Sequence, residues 1–101
     1  MSVIIDMSIY PMDKGEHLSP YVARAVKIIE QSGLDYVFGP MSTAIEGEWD
    51  EVMAVVDQCM RELSKDCDRV LLALRADNRK GRTKGLSDKI TSVREHMEGN
   101  D

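Results

Sequence analysis

Aromatic side chains are scarce in this sequence, at 5% of 101 residues, and there are only two cysteines, Cys59 and Cys67. Neither cysteine belongs to a CxxC pair or has a histidine at ligand spacing, which argues against a disulfide-framed secreted domain and against a zinc site; two thiols in a reducing compartment are expected. No run of about eighteen apolar residues is present to span a bilayer. The apolar start from Ser2 to Tyr10 lacks a basic leader and is broken by Asp6, so a cytoplasmic protein is expected. Basic residues are outnumbered, 13 Lys and Arg against 18 Asp and Glu, giving a formal charge of −5. The one basic concentration, Arg75, Arg79, Lys80, Arg82 and Lys84, is diluted by Asp77, and neither nucleic acid nor a membrane is an expected partner. Also missing are GxSxG, a Walker loop, HExxH and a dinucleotide fingerprint, so nothing marks an enzyme, and no metal or resident cofactor is expected.

What is present is periodicity. Val3, Ile5, Met7 and Ile9 alternate with Ile4, Asp6, Ser8 and Tyr10, which predicts a strand with one apolar and one mixed face, ended by Pro11. Ser19 followed by Pro20 reads as an N-cap and first helical residue, with Val22, Ala25, Val26 and Ile29 at helical spacing and Gly33 as the stop. Leu34 to Phe38 and Met41 to Glu46 read as two strands joined tightly through Gly39 and Pro40. Trp49 to Leu63 places Val52, Val55, Val56, Cys59, Met60 and Leu63 on one side of a helix. Arg69 to Ala76 predicts another strand, followed by a polar loop from Asp77 to Gly85 that is a candidate for an anion but more simply a solvated loop. A last amphipathic helix carries Leu86, Ile90, Val93 and Met97, with Ser87 as a possible cap.

The order strand, helix, strand, strand, helix, strand predicts an α+β fold, a ferredoxin-like βαββαβ sandwich with an extra C-terminal helix, in a single domain over 1–101. Both main helices then cover one face of the sheet. The other face would carry Ile4, Asp6, Ser8 and Tyr10 beside Leu71, Ala73, Arg75 and Asp77, too apolar to meet only water. A second subunit, or a ligand held between subunits, is expected to cover it.

The stretch Gly39-Pro-Met-Ser-Thr-Ala-Ile-Glu-Gly-Glu-Trp-Asp-Glu-Val-Met53 resembles the signature of the small thiamine-binding protein family. His17-Leu-Ser-Pro-Tyr-Val-Ala23, Ser32-Gly-Leu-Asp-Tyr36, Asp77-Asn-Arg79 and Lys89-Ile-Thr-Ser-Val93 are similar to the family in the same order, so the resemblance covers nearly the whole chain. It implies a ferredoxin-like subunit that forms homodimers or homotetramers in the cytosol and binds thiamine, or its hydroxymethylpyrimidine half, as a carrier or sensor. Ser42 stands where the family commonly has Gly.

Thiamine joins a flat aminopyrimidine to a cationic thiazolium, so its binder needs an apolar surface for the ring, polar groups for the amino edge and acidic surroundings for the cation. Thr43 and Glu46 are candidates for the polar groups, although a spacing of three puts them on opposite faces of a regular strand. Asp6 and Ser8 follow, since a carboxylate in an apolar strand needs a partner: a ligand amine, or Arg75 from a neighbouring strand. Met41 and Ser42 flank Thr43 as lining residues. Tyr10, Tyr36, Phe38 and Trp49 read as core or interface anchors rather than ring-stacking groups. His17 and His96 have no neighbouring nucleophile or second ligand. Two alternatives stay open: a small enzyme with Asp6 or His17 as general base, and a regulatory or assembly module without a ligand.

Overall fold

A computed structural model describes residues 2–81 and 84–99. Seven elements follow in order: β1 (Ser2–Pro11), α1 (Ser19–Gln31), β2 (Asp35–Phe38), β3 (Thr43–Gly47), α2 (Trp49–Ser64), β4 (Val70–Arg79) and α3 (Gly85–Met97). The sheet runs β2-β3-β1-β4 with every pair antiparallel. This is the ferredoxin-like α+β arrangement with one added helix.

The alternation of β1 sets the layers. Val3, Ile5, Met7 and Ile9 face α1 and α2 and join Ile45, Ala25, Ile29, Val52, Val55, Cys59 and Leu63 in one core. Ile5, Ile29, Ile45 and Leu63 lose essentially all solvent contact; each such side chain stabilises the fold by about 1.5–3 kcal/mol of transfer free energy. Asp50 and Glu51 occupy the first turn of α2 and Arg61 its last, matching the helix dipole at both ends. Arg24 on α1 clasps the end of α2 through two 3.0 Å bonds to Asp66 and one of 2.7 Å to the Glu62 carbonyl.

Helix starts differ from the expected caps. In α1 the cap position belongs to Leu18, whose carbonyl accepts from Tyr21 and Val22, and Ser19 is already helical without a side-chain capping bond. Pro20 still fits the first turn, because it has no N–H to leave unsatisfied. Gly33, at φ 77°, ends the helix as expected. In α3 the helix begins at Gly85, so Ser87 lies inside its first turn, its hydroxyl 3.4 Å from the Lys84 carbonyl.

β4 also outruns its expected end. Asp77, Asn78 and Arg79 pair with Ile4, Val3 and Ser2 instead of opening a loop. An edge strand has one neighbour and a solvated side, which tolerates such polar residues. The expected anion loop therefore shrinks to a turn after Arg79, and Arg82 lies outside the described residues.

The second face of the sheet carries the expected residues: Ile4, Asp6, Ser8 and Tyr10 lie opposite Asp77, Arg75, Ala73 and Leu71. It is not uniformly open. α3 packs against β1 and β3 at one end, where Ile4 is only 8% exposed and Lys89 meets Asp77 at 2.7 Å. The opposite end, with Leu71 and Ala73 exposed and Tyr10 half-buried, is bare. Of the four aromatics expected as core or interface anchors, two are outside the core: Phe38 is 58% exposed and Trp49 52%. Tyr10 and Tyr36 are half-buried.

Candidate functional site

β3 contains two buried polar side chains, Thr43 and Glu46, and their surroundings differ completely. Glu46 pairs with Ile4 and so faces α3. Its carboxylate accepts from the Ser2 hydroxyl at 2.7 Å, from the Gly85 N–H at 2.9 Å and from the Leu86 N–H at 3.0 Å. Two of these donors are at the N-terminal end of α3, where the helix dipole adds to the attraction for a negative charge. Glu46 is thus the anchor of α3, a role the sequence hides because its partners lie about forty residues away.

Thr43 pairs with Met7 and Phe38 and therefore faces the helix side. It is 5% exposed. Its backbone belongs to the ladder, but its hydroxyl has no hydrogen-bond partner among the described residues, a situation that costs about 1–3 kcal/mol when it persists. The expectation that Thr43 and Glu46 act on one ligand is not met: the strand stays regular between them and turns them to opposite faces.

Thr43 lies on the wall of a groove of about 750 Å³. The sheet itself creates this space. The β1–β3 ladder ends at Met7 and Thr43, whereas the β1–β4 ladder continues through Tyr10 and Leu71 to Pro11 and Val70. Beyond Met7, the β3-side edge of β1 is left without a strand partner and lines the groove through Ser8, Ile9 and Tyr10. α1 supplies the facing wall with Val22, Ala23 and Val26, and Lys27 and Glu30 add one charge of each sign. The turn from Gly39 to Ser42 closes the end. It is held by the Gly39 N–H donating to the Ser42 carbonyl at 2.9 Å, and a Cβ on Gly39 would stand 2.9 Å from that same oxygen. Only glycine fits there without moving the turn.

Four of the six expected site residues, Ser8, Met41, Ser42 and Thr43, line this groove. Asp6 adjoins it: the Ser42 hydroxyl donates to one carboxylate oxygen at 2.5 Å, and Arg75 meets the other at 3.3 Å. Arg75 is therefore the partner that the alternation of β1 and β4 suggested. Glu46 lies on the other face of the sheet. Phe38, read from the sequence as a core or interface anchor, is outside the core and lines the groove, because β2 is an edge strand that α1 does not cover at that point.

The remaining titratable groups carry less. Both cysteines are free and buried, and burial pushes the Cys59 thiol up to about 11, which leaves it protonated and inert near neutral pH. His17 and His96 are exposed. Among the described residues no group of three or more His, Cys, Asp and Glu could hold a metal ion, and no helix is long and apolar enough to cross a membrane.

Comparisons with known proteins converge on one group. A family model described as thiamine-binding protein matches residues 5–94. The UPF0045 protein YqgV of Bacillus subtilis is 34% identical over 102 residues, spanning 94% of this chain and 97% of its own. The UPF0045 protein Mb1933 of Mycobacterium bovis is 33% identical over 98 residues, 96% of each chain. Among solved structures, the hypothetical protein MJ1052 of Methanocaldococcus jannaschii superposes with a TM-score of 0.85 at 29% identity, covering 93% of this chain and 97% of that one. A Thermotoga maritima protein, TM0486, named as a proposed thiamine biosynthesis/salvage protein, gives 0.82 at 27% identity over 92% of this chain and 99% of that one.

Proposed function

The chain belongs to the thiamine-binding protein family, and from that premise we propose that it binds thiamine, or its hydroxymethylpyrimidine half, in the groove between α1 and the β2–β3 turn, without chemical turnover. The observation that carries this reading is the Thr43 hydroxyl: buried, without a hydrogen-bond partner among the described residues, on a side chain that lines a space of about 750 Å³, within the usual size range of small-molecule sites. The amino edge of a pyrimidine supplies both a donor and an acceptor, either of which satisfies a threonine hydroxyl. The unpaired edge of β1 at Ser8 to Tyr10 offers backbone groups beside it, and Met41 gives a polarizable apolar contact. Ser42, its hydroxyl proton committed to Asp6, presents its oxygen only as an acceptor, while the Asp6 charge is already met by Arg75.

A second copy of the chain completes the site in this reading. Ser8 and Tyr10 line the groove while their side chains belong to the second face of the sheet, where Leu71 and Ala73 remain uncovered. Burying that bare end against another subunit would remove it from water and bring the groove to an interface, as a carrier or sensor of thiamine requires if binding is to be linked to assembly.

Titration calorimetry with thiamine and with hydroxymethylpyrimidine, run beside native mass spectrometry, tests the proposal. Saturable binding to a dimer or tetramer is expected, and Thr43→Val should weaken it about tenfold or more while leaving the assembly intact. Absence of saturation with either compound at high micromolar concentration would overturn the binding role; a ligand-saturated monomer would overturn the interface.

A further inference from the structure

The groove contains an aromatic residue that the fold does not use. Phe38 ends β2 and sits directly opposite Thr43, so the two side chains rise from the same face of the sheet as cross-strand neighbours, with Cβ atoms typically about 5 Å apart. Thr43 is buried and Phe38 is 58% exposed, yet both line the groove. Exposing a phenylalanine at the end of an edge strand forfeits most of the stabilisation its burial would give, and aromatics are scarce in this chain. The turn that follows Phe38, closed by the Gly39 N–H donating to the Ser42 carbonyl, lines the groove beside it.

We propose that Phe38 is a specificity-determining residue, its ring forming a stacking platform for a flat heteroaromatic ligand whose polar edge is read by Thr43. The inference rests on the groove being the thiamine site and adds which part of the ligand is gripped there. The two side chains form a complementary pair, one offering a π-face and the other a hydroxyl, and together they fit a ring with polar atoms on its rim. They suit the aminopyrimidine half better than the thiazolium. A stack beside a buried hydroxyl selects for planarity and a hydrogen-bonding edge, whereas a cation needs charge, which on this wall is split between Lys27 and Glu30.

The test compares Phe38→Leu and Phe38→Trp with the unaltered protein, each at verified assembly state, by calorimetry and by proton NMR of the ligand. Stacking predicts that Phe38→Leu weakens thiamine and hydroxymethylpyrimidine by a similar factor, about five- to tenfold, and that Phe38→Trp retains or tightens both. It also predicts an upfield ring-current shift of the pyrimidine ring proton and methyl group in the complex, lost in Phe38→Leu. Unaltered affinity and an unaltered shift in Phe38→Leu, with the native protein still binding, would overturn the stacking role alone. Loss of affinity in Phe38→Leu together with dissociation of the assembly would make Phe38 an interface residue and overturn it equally. Failure of the native protein to bind either compound would remove the thiamine reading, and the stacking role with it.

Discussion

The two ends of β3, a few residues apart, handle the same physical problem in opposite ways. At the Glu46 end a buried carboxylate accepts from the Ser2 hydroxyl and from the Gly85 and Leu86 N–H groups and holds α3 on the sheet. At the Thr43 end a buried side chain lines the groove, and its hydroxyl has no partner among the described residues. A buried polar group whose capacity is filled by its own chain is part of the structure; one left unfilled at the wall of a groove is poised for something from outside. On the proposed reading the strand is structural at one end and receptive at the other, and substitutions at its two ends should have opposite signatures.

The largest effect is expected from Glu46→Leu. It removes the buried acceptor of two backbone N–H groups of α3 and of the Ser2 hydroxyl bond, and a loss on the order of 3 kcal/mol follows. Thermal unfolding should show Tm falling by more than about 10 °C, and hydrogen exchange should show α3 losing protection first. If α3 keeps its protection, the anchor role is wrong. Thr43→Val is expected to do the reverse. Replacing an unsatisfied hydroxyl by a methyl of the same shape leaves stability unchanged or raises it by up to about 1 kcal/mol, while thiamine affinity falls. A destabilised Thr43→Val protein would mean that the hydroxyl is already satisfied, and the contrast between the two ends would disappear.

Gly39→Ala sharpens the contrast from the side of the groove. An added Cβ would lie 2.9 Å from the Ser42 carbonyl oxygen, so the turn must shift and take Met41 and Ser42 with it. Binding should weaken several-fold, with stability reduced by about 1–2 kcal/mol and α3 protection unchanged. Calorimetry and hydrogen exchange on the one variant read both halves of that statement.

The receptive end was more legible in the sequence than the structural one. Alternation in β1 and β4 showed which residues share the second face, and with them Arg75 as one candidate partner for Asp6, because a slip by one residue would turn every buried side chain outward. The Met41-Ser42-Thr43 run pointed to the groove through its resemblance to a known signature. Glu46 was misjudged because its partners, Ser2 and the start of α3, are distant in sequence, and spacing along one strand says nothing about a helix arriving from elsewhere. Phe38 was read as a core or interface anchor from its residue type, which carries no information about whether a helix covers that part of the sheet, and the core half of that reading fails. Asp77 to Arg79 read as loop because polarity and Gly81 suggest a turn; an edge strand needs no apolar side chains on its solvated side.

The smallest expected effect concerns acid, and it separates the ends by their charges. The Asp66 carboxyl is held below its ordinary range by the Arg24 hydrogen bonds, and Glu62 is lowered by Lys65 and then by Arg24. A carboxyl with a lowered folded-state pKa contributes stability that is complete above its unfolded value and is lost as pH falls through the folded one. The Arg24 clasp between α1 and α2 therefore weakens below about pH 4, and because α1 forms a wall of the groove, the receptive end is the one that loosens. Asp66 is exposed and Arg24 and Glu62 are only half-buried, so solvent screens the clasp and the decrease in Tm should be modest. Arg24→Met should lower Tm slightly at pH 7 and flatten its fall between about pH 5 and pH 3 relative to the native protein. A native and a variant protein with parallel pH profiles would show that the clasp contributes nothing, and that acid acts on the two ends alike.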